Sequence, residues 1–152
     1  MSAPTQDTLA ELPNGVRVVT LPMPQLHTAA VSVFVRSGSV HESRTLSGIG
    51  HVIEHMVFKG THTRDAHRIN LDAERLGADV NAHTDKDHSA FYMRGLPEHA
   101  PRLLAMLADI VLRPAFPAAE LEDMQRVMAA IFCFEHTPDT AAAKRAIRSL
   151  AD

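Results

Sequence analysis

Apolar positions along the chain change period several times, and each change marks an element. In "LAELPNGVRVVTLPM" the valines Val16, Val18 and Val19 follow Asn14-Gly15, a pair suited to the positive-φ positions of a tight turn, which predicts a β-hairpin. "AAVSVFVRSGS" predicts a second strand region, with Val31, Val33 and Val35 on one face and Phe34 on the other. Two apolar faces suggest an interior strand of a covered sheet. A helix is expected from about Leu46 to Phe58 with Gly60 terminating it, and another in "RDAHRINLDAERLG", where Ala66, Ile69, Ala73 and Leu76 share a stripe before Gly77.

"ADVNAHTDKDHSAFYMRGL" predicts two strands around a polar turn at Asp85-Lys86-Asp87, the first half exposed because Ala78, Val80 and Ala82 alternate with polar residues. Pro97 and Glu98 open a third helix carrying Leu103, Leu104, Leu107, Ile110 and Val111. A fourth is expected from about Ala118, with Met124, Val127, Met128 and Ile131 on one side. The stretch after Pro138 is expected to be helical too. Hairpin strands interleaved with helix pairs predict an α+β fold, with helices packed on a mainly antiparallel sheet.

Length and composition add bounds rather than chemistry. The 152 residues form one domain's worth of chain, 1–152, enough to bury a substantial core. With 45% hydrophobic residues, 22% charged residues, a net charge of −3 and no basic run, the chain shows no nucleic-acid footprint. No apolar run approaches the roughly 20 residues of a membrane span. The N-terminus lacks a basic start followed by an apolar core, so no secretory signal is expected and the cytoplasm is the expected compartment. The single cysteine, Cys133, lies among apolar residues and is read as a small buried hydrophobe. Most of the ten histidines are expected to be solvated surface residues.

The candidate chemistry lies in "GIGHVIEHMVFKGT". On a helix, positions i, i+3 and i+4 share a face. His51 and His55 therefore project side by side and can grip one ion, while Glu54 sits at the edge of that face. Two neutral imidazoles as ligands, with a free carboxylate beside a metal-activated water, are what a zinc hydrolase requires. H-x-x-E-H is the inverzincin order. A solvated helix face that happens to carry three polar residues is the competing explanation.

Context decides between them. "GIGHVIEHMVFKGT", together with "RSGSVHE", "NAHT" and "ADIVLRPAF" in that layout, resembles the pitrilysin family of zinc metallopeptidases, from Leu12 to Asp139. That family includes insulin-degrading enzyme and the mitochondrial processing peptidases. The resemblance implies that His51 and His55 bind one zinc ion, that Glu54 is the general base, and that Asn81 and Ala82 lie on an edge strand where a peptide or unfolded polypeptide adds as a further strand. It also implies a third ligand, a glutamate about seventy-five residues after the second histidine, and a supporting acid seven positions before it.

Here the pattern departs. Alignment on "FEHTPD" puts Ala130 at the third-ligand position and Asp123 at the supporting one; alignment on Arg126 puts Phe132 there instead. Neither Ala130 nor Phe132 can bind zinc. Glu135 would lie about 140° around the helix from Ala130, and Asp123 about 10 Å back along it. His136 or His88 would need an unforeseen loop path. The chain also matches only the first part of one family domain, so a second homologous domain or chain is an expected partner. Two functions follow: a zinc metalloendopeptidase domain, inactive here if the third ligand is missing, or a non-catalytic partner subunit or peptide-binding relative.

Overall fold

The computed structural model describes residues 6–124 and 126–127. The α+β architecture is as expected. A hairpin of β1 (Thr8–Glu11) and β2 (Arg17–Thr20) precedes a three-stranded antiparallel sheet of β3 (Ala29–Val35), β4 (Asp79–Thr84) and β5 (Ser89–Gly95). Helices α1 (Ile49–Met56), α2 (Ala66–Arg75) and α3 (Ala100–Leu112) intervene, and a further helical stretch covers 118–124.

The first turn forms, though not with two positive-φ residues. Only Gly15 takes a positive φ, +83°. The amide of Gly15 donates to Leu12 at 2.8 Å, and that of Leu12 to Val16, also at 2.8 Å. Pro13 and Asn14 thus occupy the middle of a turn followed by a glycine bulge, which suits a proline that prefers the first central position.

Sheet order corrects a second expectation. The order is β3-β5-β4, so β5 is interior and β3 is an edge among the described residues. The run Ser89–Phe91 is buried, whereas Phe34 on β3 is 68% exposed. An apolar strand on both faces signals burial only when helices or strands cover both, and here one face is covered. Val31 and Val33 of β3, Phe91 and Met93 of β5, and Val80 and Ala82 of β4 stand in register on that face. On it pack Ile69, Ala73 and Leu76, from α2 and the residue that ends it, and Leu103, Met106, Leu107 and Ile110 of α3. Each helix thus presents an i, i+3, i+4, i+7 stripe or part of one. Of the apolar residues of α3, Leu104 lies off this stripe and is 52% exposed, while Met106 is buried.

The metal-motif helix begins at Ile49 rather than Leu46, behind a short 3-10 turn at Arg44–Leu46, and passes through another at Val57–Lys59 to Gly60. α2 starts on Asp65, whose side chain accepts from the Arg68 amide at 2.7 Å. The expected fourth helix begins where predicted and buries Met124, while Val127 is exposed. Met128, Ile131, Cys133 and the stretch after Pro138 lie outside the described residues.

A polar joint ties the segment after α1 to α2 and α3. Asp109 Oδ2 accepts from Thr61 Oγ1 at 2.8 Å, Thr63 Oγ1 at 2.9 Å and Arg64 Nη1 at 2.6 Å. Arg64 Nε reaches Asp72 at 3.2 Å, and Arg68 meets the same carboxylate at 2.9 Å. Burial pulls the Asp109 carboxyl upward, but the two threonine hydroxyls and Arg64 outweigh it and hold the group below its ordinary 3.8. A folded value below the unfolded one contributes stability above about 3.8, and that contribution disappears as pH falls through the lowered folded value. Asp109→Asn should therefore lower stability by about 2–3 kcal/mol at neutral pH and shrink the acid limb of a stability–pH profile measured by denaturant unfolding.

Candidate metal centre

The eight residues of α1 form a helix with two functions divided between its faces. Met56, with Val57 just beyond it, is buried at 1% and 3% exposure and anchors the C-terminal end. His51 and Glu54 are half-buried and His55 is exposed, so the polar stripe is accessible. The helix packs against β4.

On that stripe the expected pair converges. His51 Nε2 and His55 Nε2 are 3.0 Å apart, with ring centroids at 4.8 Å and planes inclined by 47°. One ligand atom from each of His51, Glu54 and His55 lies within 4.8 Å of the others. Two zinc–nitrogen bonds of about 2.0–2.1 Å at a tetrahedral angle separate their nitrogens by about 3.4 Å. Opening the rings by a few tenths of an ångström makes room for an ion, so the donor set fits zinc. The Glu54 carboxylate is near enough to serve either an ion or a water beside it.

The other predicted residues divide. Asn81 is exposed on β4 and Ala82 half-buried. β4 pairs with β5 along one side, and its other edge has no strand partner among the described residues. Asn81 Oδ1 accepts from the Ala82 amide at 2.8 Å. Thr84, at the end of the same strand, donates to the Gly50 carbonyl at 3.4 Å, so the metal-motif helix and the strand meet directly. Asp123 pairs with Arg126 and is not part of the cluster. His88 is not part of it either; it binds Asp87 at 2.8 Å and lies against Phe34 and His83. Ala130, Phe132, Glu135 and His136 lie outside the described residues.

One residue of the site was missed. Glu42 reaches forward to the start of α1, where Oε2 accepts from the Gly48 amide at 2.6 Å and Oε1 from the Gly50 amide at 2.8 Å. Local capping patterns look for an acceptor at the residue just before the helix. Here that residue is Gly48, at φ +90° and without a side chain to offer, and the acceptor comes from six positions earlier.

Comparison with known proteins shows the family. The chain matches the insulinase family of peptidases, peptidase family M16, over residues 17–147. It belongs to that family. It is 39% identical over 127 residues to the uncharacterized zinc protease YmxG of Bacillus subtilis, covering 83% of this chain and 31% of that protein. To the beta subunit of the mitochondrial-processing peptidase of Saccharomyces cerevisiae it is 33% identical over 113 residues, or 74% of this chain and 24% of the subunit. A crystal structure of a protease from Helicobacter pylori superposes with a TM-score of 0.77 at 25% identity, over 87% of this chain and 32% of that one. The chain thus spans about a third or less of each of these relatives. No described helix is long and apolar enough to cross a membrane.

If the two imidazoles are the principal donors of this M16 domain, His51→Ala and His55→Ala should each reduce zinc retained after gel filtration to background. Neither should alter the far-ultraviolet circular dichroism.

Proposed function

We propose that this chain carries the metal-binding part of a zinc-dependent metallopeptidase domain. His51 and His55 hold the ion, Glu54 serves as general base, and an extended peptide lies along the β4 edge at Asn81 and Ala82. The observation that carries this is the convergence of the two Nε2 atoms at 3.0 Å beside the Glu54 carboxylate, on a helix packed against an edge strand. Zinc bound there would supply a Lewis acid that acidifies a water and polarises the scissile carbonyl. The work of the chain's own residues is then to position and to move protons. Glu54 takes a proton from the attacking water and delivers it to the leaving amine. The edge of β4 that has no strand partner among the described residues aligns any extended peptide through main-chain hydrogen bonds, which makes recognition tolerant of sequence.

A non-catalytic role is the second reading, favoured by Ala130 at the position where the family resemblance places a ligating glutamate. A catalytic zinc site ordinarily has three protein ligands, and two imidazoles hold the ion less tightly. Under either reading a second homologous domain or chain is the partner of this one. A fit to that role comes from the resemblance of this chain to about a quarter of a protein named as a subunit.

Zinc stoichiometry and cleavage of a quenched fluorogenic peptide, measured on the chain and on Ala130→Glu, separate the two. The unmodified chain should hold substoichiometric zinc and cleave little, and Ala130→Glu should hold zinc more tightly. Glu54→Gln should keep its zinc and lose whatever cleavage is present. Cleavage surviving in that variant removes Glu54 as the base, and loss of zinc from it makes Glu54 a ligand instead. Tight, chelator-resistant zinc in the unmodified chain would mean that another side chain completes the site.

A further inference from the structure

We infer that Glu42 is a positioning residue for the metal centre, holding the first turn of α1 so that His51 and His55 face one point beside β4. The inference rests on the metal-binding role proposed above and adds a residue to it.

Three observations lead there. First, α1 lacks a side-chain cap of its own: Gly48 has none to give, and no acidic residue stands in the first turn. The bonds from Glu42, at 2.6 and 2.8 Å, are charge-assisted contacts between a carboxylate and the positive end of the helix. Second, one of the two amides it holds belongs to Gly50, the residue immediately before the first ligand. A methyl group on Gly50 would lie 2.9 Å from Glu42 Oε1 and 3.2 Å from Thr84 Cγ2, so carboxylate, helix and strand are in close contact at this point. Third, the segment that carries Glu42 is itself docked on the β4–β5 turn. Ser39 N donates to Asp85 O at 3.2 Å and Val40 N to Lys86 O at 2.9 Å. The space beside Gly38 is filled by the backbone of that turn, with Asp85 O 2.5 Å from where a Cβ would stand.

Glu42 therefore joins the ligand-bearing helix to the same hairpin that offers the β4 edge. With Gln at 42, a single amide oxygen replaces two carboxylate oxygens, and its NH2 group faces a backbone N–H. One of the two amides loses its partner, and the first turn is free to shift relative to the strand. Because both ligands lie within five residues of that turn, a shift there moves one ring more than the other.

Zinc affinity of the intact chain, measured by competition with a chromophoric chelator, tests this when combined with amide hydrogen exchange at Gly50. Glu42→Gln should weaken zinc binding by about tenfold, the lower end of what outer residues contribute to metal sites, and should speed Gly50 exchange. Glu42→Asp, one methylene shorter, should recover part of both. Gly50→Ala, which pushes the carboxylate away from the opposite side, should reproduce the loss without touching Glu42. His51→Ala should abolish zinc binding while leaving Gly50 exchange slow. A purely structural cap would lower the melting temperature and leave the zinc affinity of the folded variants at the wild-type value; that result overturns the inference alone. Absence of any His51-dependent zinc binding in the wild-type chain overturns the metal reading, and this inference with it.

Discussion

An eight-residue helix does not hold its shape in water by itself. Everything proposed for this chain depends on α1 being held from outside, at both ends. At its start, Glu42 accepts from the Gly48 and Gly50 amides while Thr84 closes on Gly50. At its end, Met56 and Val57 are buried, and the chain beyond is tied through Thr61, Thr63 and Arg64 to Asp109 of α3. Between these anchors the outward stripe is left free to carry two imidazoles and a carboxylate.

The two anchors differ in kind. The Asp109 joint is an ion pair with hydroxyl donors around it, in a half-buried setting where removing one partner leaves the others unpaired. Its effect is on how firmly the helices are assembled. The Glu42 contact is a carboxylate on backbone amides, and its effect is on where a helix end sits. One governs stability and the other geometry, and a metal site requires both, because donors held in the wrong place bind as poorly as donors on a loose element.

The sheet has a comparable division. Its covered face, through Val31, Val33, Val80, Phe91 and Met93, forms the core with α2 and α3. Its other face carries Ser32, Tyr92, Arg94, Asp79, Asn81 and His83. β4 contributes to both: Val80 and Ala82 toward the core, Asn81 and His83 outward, and an edge alongside. On the proposed function, an edge strand that is both anchored by its own core residues and abutted by α1 would be a rigid place to lay a peptide.

Much of this was legible without coordinates. Period-3.6 stripes located α2 and α3, alternation located β4, and the spacing of His51, Glu54 and His55 was enough to place them on one helical face, because a helix maps sequence distance onto direction. Membership of the M16 family followed from motifs in order. What spacing could not supply was anything set by contacts between distant segments. The hydrophobicity of β3 suggested an interior strand, yet strand order is decided by pairing across the sheet, and β5 took the centre. Leu104 is as apolar as its neighbours yet is 52% exposed, because it stands one residue off the stripe that packs on the sheet. The role of Glu42 is the clearest instance: a carboxylate six residues before the N-cap position reaches the helix start from a segment that is itself docked, through Ser39 and Val40, on the β4–β5 turn. Local sequence determined which residues could act together, since that depends on backbone period alone; tertiary structure decided what holds them there, since that depends on which remote surfaces meet.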